Sequence, residues 1–126
     1  MYCASPDINE TGSTRLHKDA TAAVNILAYV CPRSGDTLGR PHGATWLVFS
    51  AADTPQVQAF LRRRLDYDDG TDPTQFQRVF IDEAMLVDMK HLGLKPFTIQ
   101  QHEHDAVFIP AGCPHQVSCC HGIRFF

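Results

Sequence analysis

The sequence predicts a mixed fold with a β-centred core and inserted helices. Runs rich in β-branched and aromatic residues, which favour strands, occur at 24–30, 45–49, 94–101 and 107–109. Two stretches between the second and third runs have the apolar periodicity of helices instead. The chain has 126 residues, which fits one domain. The predicted order is therefore strands, a helical insertion, and further strands.

The first third of the chain is predicted to form strands and a loop. Residues 14–30 begin with polar side chains and end in an apolar run. A helix over 20–27 is an alternative because alanine is the strongest helix former, but the residues at 24–30 favour a strand. Residues 31–43 contain two prolines and three glycines among polar residues, which indicates a loop.

Two helices are predicted in the middle of the chain. The first begins at Thr54, with Asp53 or Thr54 as its cap and Pro55 in its first turn. Its apolar stripe consists of Val57, Phe60, Leu61 and Leu65. The arginines at 62–64 are interpreted as a solvated face. The second helix spans 80–92 and ends at Gly93, with Ile81, Met85, Met89 and Leu92 on one face.

A constrained turn dominates the last third of the chain. The strand at 107–109 runs into Pro110, Gly112 and Pro114, which force a tight turn because proline fixes φ and glycine permits positive φ. A second strand then begins at His115. Such a turn aims one side chain, and here it is an imidazole. The alternative interpretation is an ordinary hairpin with a surface histidine.

A second stretch supplies a matching pair of metal-binding side chains. His17 and Asp19 lie two residues apart in a predicted strand, so they share a face. Together with the distant His115 they make two imidazoles and one carboxylate. That set caps one face of an Fe(II) octahedron and leaves three positions open. Because His-x-Asp arises often by chance, the alternative is two surface histidines and an unrelated aspartate.

At these residues the sequence resembles the JmjC (Jumonji C) domain, and in particular its hairless-like subgroup of histone lysine demethylases. The likeness rests on residues 16–27 and 105–117, and extends to 1–2, 43–46 and 51–53. It implies a double-stranded β-helix, which is a jelly-roll or cupin-like barrel. It also implies a single JmjC-type domain over 1–126, with a helical insertion around 54–93. Both ends look cut by comparison with the family, so we expect an incomplete barrel.

The resemblance also implies the cofactors and the residues that hold them. His17, Asp19 and His115 would bind Fe(II), with 2-oxoglutarate as cosubstrate. The far carboxylate of 2-oxoglutarate needs a hydroxyl, an amide or a cation. Family positions assign this contact to three candidates, namely Thr14, Asn25 and Arg124. Lys18 departs from the family, which has an apolar residue between the two ligands, but it should point away from the metal.

The function implied by the resemblance is oxidative demethylation of an N-methyl-lysine in a histone tail or another protein, in the nucleus. Two alternatives remain open. One is a cupin-like metal-binding protein or a dioxygenase that does not use 2-oxoglutarate. The other is an inactive JmjC fragment that acts as an interaction module.

Composition excludes several other classes of protein. The net charge of −3 gives no electrostatic signal for nucleic acid. The sequence has no apolar run long enough to cross a bilayer and no signal-peptide pattern, so an intracellular location is expected. Five irregularly spaced cysteines argue for reduced thiols rather than a disulfide framework. A zinc site is a further alternative, on His102, His104, Cys113, Cys119, Cys120 and His121. The absence of a Cys-x2-Cys pair argues against it.

Overall fold

The computed structural model describes residues 2–4, 14–30, 42–67, 70–119 and 123–125. Within these ranges, eight strands form two four-stranded antiparallel sheets. The first sheet contains, in spatial order, β1 (Tyr2–Ala4), β8 (Ile123–Phe125), β3 (Ala23–Val30) and β6 (Ala106–Ile109). The second contains β2 (Thr14–His17), β7 (His115–Cys119), β4 (His42–Val48) and β5 (Phe97–His102).

This strand order is that of a jelly roll, in which two antiparallel sheets face each other. Consecutive strands alternate between the sheets except for β4 and β5, which pair with each other in the second sheet. One apolar core fills the space between the sheets. It contains Leu27, Val30, Val107 and Ile109 from the first sheet, and Ala44, Trp46, Val48, Val117 and Cys119 from the second. The mainly β, jelly-roll fold class is therefore confirmed.

Two helices, α1 (Thr54–Leu65) and α2 (Glu83–His91), lie between β4 and β5 in the chain. They form a second apolar core with the side of the second sheet that faces away from the first sheet. This core contains Leu16, Phe49, Val57, Phe60, Leu61, Val79, Ile81, Met89 and Leu94. Strand β2 therefore packs Leu16 into the helical layer and turns the next residue, His17, the other way. No helix in the described ranges is long and apolar enough to cross a membrane.

The helix predictions are confirmed in position and corrected in detail. Helix α1 begins at Thr54 as predicted, although the Asp53 side chain makes no capping hydrogen bond. Helix α2 begins at Glu83 rather than at residue 80, because the Asp82 carboxylate accepts a hydrogen bond from the backbone N–H of Met85 and caps the helix there. The apolar stripes also end early, since Leu65 and Leu92 are exposed. The alternative helix over 20–27 is wrong, because β3 starts at Ala23.

Candidate metal centre

His115 is held by the turn that precedes β7. Gly112 has a φ of 75°, and the Cys113 N–H donates to the carbonyl of Pro110 across 3.3 Å. The N–H of Phe49, at the end of β4, donates to the carbonyl of Pro114 across 2.8 Å. The turn is therefore fixed both by its own residues and by the neighbouring strand. It delivers His115 into the space between the sheets with only 3% of its surface exposed.

The imidazole of His115 is oriented and kept neutral by its surroundings. Its Nδ1 lies 3.0 Å from the carbonyl oxygen of Cys113. Because a carbonyl only accepts, Nδ1 carries the proton and Nε2 keeps a lone pair. Burial lowers the pKa of His115, and the neighbouring His17 adds to that effect. The Trp46 ring stacks beside it, with the ring centroids 6.0 Å apart.

His17 lies directly opposite His115 at the end of β2. The two residues are register partners, and their ring centroids are 4.2 Å apart. His17 Nδ1 lies 2.9 Å from the carbonyl oxygen of Arg15, so its Nε2 is also left with the lone pair. The sequence could not reveal either of these carbonyl partners.

A bulge in β2 places Thr14 beside His17 at the same cavity. Residues three apart in a regular strand point to opposite faces. Here Thr14 pairs with Val117 and His17 pairs with His115, so β2 has one residue more than β7 between the two pairs. The extra residue brings the hydroxyl and the imidazole to one side.

Asp19 follows the strand instead of lying within it, which corrects the prediction. Strand β2 ends at His17. Beyond it, the Lys18 N–H donates to the carbonyl of Thr74 across 3.2 Å, and the Asp19 carbonyl accepts from the N–H of Gly112 across 2.9 Å. These two bonds replace the strand ladder. The second one ties Asp19 directly to the turn that presents His115.

The three predicted ligands come together. One donor atom from each of His17, Asp19 and His115 lies within 4.8 Å of the other two. Two imidazoles with available Nε2 atoms and one carboxylate are the donor set that suits Fe(II). In the parts of the chain that the structure describes, no other group of three such side chains converges. The zinc alternative therefore gains no support there, and Cys120 and His121 lie outside the described residues.

A cavity of about 180 Å³ adjoins these three side chains. Its lining includes Thr14 and Asn25, two of the three candidates for binding 2-oxoglutarate. Arg124 belongs to β8, where it pairs with Cys3 and Tyr29, but its side chain lies outside the described residues. Thr14 and Asn25 therefore line the same cavity as the three predicted metal ligands.

A buried glutamine that the sequence analysis missed orients Asn25. Gln101 is fully buried, and its Nε2 donates to Asn25 Oδ1 across 3.2 Å and to the Asn25 carbonyl across 3.1 Å. Its Oε1 accepts from Trp46 Nε1 across 2.8 Å. One amide therefore connects a cavity-lining asparagine with the tryptophan that stacks on His115. Its sequence signal was a polar residue at the end of a strand-like run.

Lys18 has a specific partner on the outside of the second sheet. Its Nζ lies 2.7 Å from a carboxylate oxygen of Asp72. Burial by itself raises the pKa of Asp72, but hydrogen bonds from Lys18 and Thr74 outweigh it and lower the pKa to about 2. The charge of Lys18, which departs from the family pattern, thus points away from the ligands, as predicted. Its ion pair anchors the segment between His17 at the end of β2 and Asp19 just after it.

The fold and the site define the class of cupin-like jelly rolls with two histidines and a carboxylate at one cavity. Residues 39–122 match the family model described as "JmjC domain, hydroxylase". The chain therefore belongs to the JmjC domain family. The matched segment contains His115 and begins after His17 and Asp19.

Several curated proteins are similar to this chain. Lysine-specific demethylase 3 of Drosophila melanogaster is 33% identical over 149 residues, covering 89% of this chain and 17% of the relative. Lysine-specific demethylase 3A of Homo sapiens is 28% identical over 145 residues, covering 90% of this chain and 11% of the relative. E3 ubiquitin-protein ligase JMJ24 of Arabidopsis thaliana is 34% identical over 83 residues, covering 60% and 9%. The chain thus spans less than a fifth of these relatives.

Proposed function

We propose that this chain carries the centre of an Fe(II)- and 2-oxoglutarate-dependent oxygenase that removes methyl groups from N-methyl-lysine in a histone tail or another protein. The observation that supports this most is the convergence of His17, Asp19 and His115 within 4.8 Å. The family and the names of the demethylase relatives add to it. A nuclear location follows from the same proposal.

The residues have separate tasks in this proposal. His17, Asp19 and His115 would hold the iron, which when bound supplies a site for activating O₂ and chelating the keto acid of 2-oxoglutarate. The lowered pKa of His115 keeps its Nε2 lone pair available near neutral pH. The Nδ1 hydrogen bonds to the carbonyls of Cys113 and Arg15 hold both rings in the binding tautomer.

The cavity supplies the remaining contacts to the cosubstrate. The Thr14 hydroxyl would donate to the far carboxylate of 2-oxoglutarate. Because Gln101 occupies Asn25 Oδ1, the Asn25 amide can turn its Nδ2 donors toward the cavity. Both groups offer hydrogen bonds to an anion, which needs them when it leaves water. Arg124 stays a candidate for the same anion.

The reaction proposed for the whole site balances as follows. One O₂ and one 2-oxoglutarate are consumed, and one oxygen atom enters the succinate formed as CO₂ leaves. The other becomes a hydroxyl on the N-methyl carbon. The resulting hemiaminal loses formaldehyde, and its hydroxyl proton moves to the nitrogen, which then has one methyl group fewer.

Turnover of 2-oxoglutarate with and without added Fe(II) tests this function. We expect succinate to form only when iron is present, and formaldehyde to form as well when a methyl-lysine peptide is added. His91→Ala, on the exposed surface of α2, is the matched control for the ligand substitutions His17→Ala and His115→Ala. Tight iron binding without any consumption of 2-oxoglutarate would instead favour a cupin-like protein that does not use this cosubstrate. Absence of iron binding would favour an inactive interaction module.

A further inference from the structure

A second cavity meets the candidate metal centre from the outside. It is a cleft of about 370 Å³, lined by Lys18, Asp19, Ala20, Gln75, Ala111 and Gly112. Asp19 also lines the cavity of about 180 Å³ between the sheets. The two spaces therefore share the side of one predicted ligand.

The two spaces differ in volume and therefore in what each can hold. Ligand pockets usually have volumes of about 300–1,000 Å³. The inner cavity is below that range, so it has room for small groups but not for a length of polypeptide. The outer cleft falls within the range, and it is the space from which a side chain could reach Asp19.

The lining of the cleft suits an extended peptide. Three of its residues, Ala20, Ala111 and Gly112, have no side chain beyond Cβ, so a main chain can approach the protein backbone closely. Gln75 is exposed at the same cleft and offers an amide with both donors and an acceptor. Recognition of extended peptides depends on hydrogen bonds to the peptide main chain, which the Gln75 amide can make. Pockets for particular side chains add specificity.

The segment that contains Gln75 and forms one wall of the cleft is fixed to β2 and to the residue after it. The Thr74 carbonyl accepts from the N–H of Lys18 across 3.2 Å, and the Val79 carbonyl accepts from the N–H of Leu16 across 2.8 Å. The four residues between these anchors, 75–78, therefore loop out opposite His17. Two of them, Phe76 and Gln77, have positive φ values of 65° and 49°. A left-handed backbone at consecutive non-glycine residues costs energy and persists where the surroundings impose it, as at ligand clamps.

We propose that this cleft binds the main chain of the methylated substrate, with Gln75 donating to and accepting from the peptide and the modified lysine pointing past Asp19. This rests on the proposed function for the identity of the reacting side chain. The peptide lies against Ala20, Ala111 and Gly112. The inner cavity remains the place for the cosubstrate.

Two substitutions and one control test the cleft. Ala111→Leu fills it from an exposed position, and Gln75→Ala removes the amide without adding bulk. Ala106→Leu makes the same exposed change on β6, in the other sheet, and serves as the matched control. The probe is a short fluorescein-labelled peptide with a single dimethyl-lysine flanked by alanine and serine.

Binding is measured first by fluorescence anisotropy with iron-free protein. We expect Ala111→Leu to raise the peptide Kd by about tenfold or more, equivalent to about 1.4 kcal/mol, with a smaller rise for Gln75→Ala. Ala106→Leu should match the unsubstituted chain. Equal peptide affinity in Ala111→Leu and Ala106→Leu, or no saturable binding to the unsubstituted chain, would overturn the proposal.

Kinetics separate this proposal from the function on which it rests. In iron-loaded protein, the loss in Ala111→Leu should fall on the KM for peptide rather than on kcat. A fall in kcat alone would mean that the substitution disturbs the metal centre, which would contradict the assignment. If the unsubstituted chain consumes no 2-oxoglutarate, the proposed function fails, while the anisotropy measurement still decides whether the cleft binds peptide.

Discussion

The two strands that carry the predicted ligands are built in different ways. Strand β7 lies inside its sheet between β2 and β4, and four of its five residues are buried. Strand β2 lies at the edge of the same sheet, and only Leu16 of its four residues is buried. His115 is therefore held by packing on both faces, whereas His17 and Asp19 depend on hydrogen bonds and an ion pair at an edge.

The site therefore combines a fixed part, His115 on β7, with an adjustable part, His17 and Asp19 on β2 and the segment after it. On β7, the turn and the two buried faces determine where His115 lies before any metal binds. On β2, the bulge, the link from Gly112 to Asp19 and the Lys18–Asp72 pair hold the other two ligands in register. We expect substitutions on β7 to change stability, and substitutions around β2 to change ligand binding with a smaller effect on folding.

Removing either histidine should have the largest effect. His17→Ala and His115→Ala should each weaken Fe(II) binding by more than about 100-fold, the upper end of the loss for outer-sphere partners, because each removes a ligand itself. Isothermal titration under anaerobic conditions measures this. Retained iron stoichiometry in either variant would contradict the ligand assignment.

The stabilities of the same two variants test the difference between β7 and β2, and equal stabilities would contradict it. His115→Ala empties a buried position and should lower the free energy of unfolding by about 1–3 kcal/mol. His17→Ala, at a half-buried edge position, should lower it by less than about 1 kcal/mol. Urea unfolding of the iron-free proteins, with His91→Ala as control, measures both.

The second prediction concerns the face of β7 that points away from the metal. Gln116 is buried, and its amide accepts from the N–H of Ile81 across 2.8 Å and donates to the carbonyl of Ile81 across 2.9 Å. Gln116→Ala leaves both buried backbone groups unpaired, so it should lower the free energy of unfolding by about 2–4 kcal/mol. Gln100→Ala, at an exposed position on β5, should stay within about 0.5 kcal/mol. Similar losses in both variants would argue against the buried-strand account.

The sequence predicted the parts of this molecule whose conformation is set by neighbouring residues. Pro110, Gly112 and Pro114 favour a turn through their own backbone preferences, and Pro55 favours the start of α1 for the same reason. The three metal ligands were predicted from that turn and from the spacing of His17 and Asp19. The jelly roll and the cosubstrate candidates Thr14, Asn25 and Arg124 came from resemblance, because strand order depends on contacts between distant parts of the chain.

The missed features all depend on partners far along the chain. Gln101 and Gln116 looked like ordinary polar strand residues until their partners, Asn25 and Ile81, were seen beside them. The bulge that puts Thr14 beside His17 has no local signature either, since it is defined by the register against β7. The ion pair between Lys18 and Asp72 likewise joins residues far apart in the chain.

Thr14→Val tests the cosubstrate contact on the adjustable strand. The substitution keeps the shape of the side chain but removes the hydroxyl, so a buried carboxylate of 2-oxoglutarate would lose one hydrogen bond. We expect binding to weaken by about 1–3 kcal/mol in iron-loaded protein, with little change in stability. Thr98→Val, on the exposed side of β5, is the matched control. An unchanged affinity for 2-oxoglutarate would move the anchor to Asn25 or Arg124.

The last prediction concerns the ion pair behind β2, and its effect depends on pH. The pKa of Asp72 is about 2 in the folded chain, below its ordinary value of 3.8, so the folded state favours the carboxylate. The resulting stabilisation is complete above about pH 4 and is lost as the pH falls toward 2. At pH 7, Asp72→Asn should lower the free energy of unfolding by about 1–2 kcal/mol, a value reduced for partial exposure.

Urea unfolding at a series of pH values from 7 to 3 measures this difference. The gap between the unsubstituted chain and Asp72→Asn should begin to narrow below about pH 4, because Asp72 then takes up a proton in the unfolded state before it does so in the folded state, whereas Asn has no charge to lose. Asp88→Asn is the matched control, since Asp88 is exposed and lies 3.9 Å from Arg64, so its loss should change little at any pH.

Fe(II) affinity should fall modestly in Asp72→Asn alone, because Lys18 lies between the two ligands that the pair keeps in register. A gap that stays constant to pH 3 would mean that the hydrogen bonds to Thr74, and not the charge on Asp72, hold the edge strand in place.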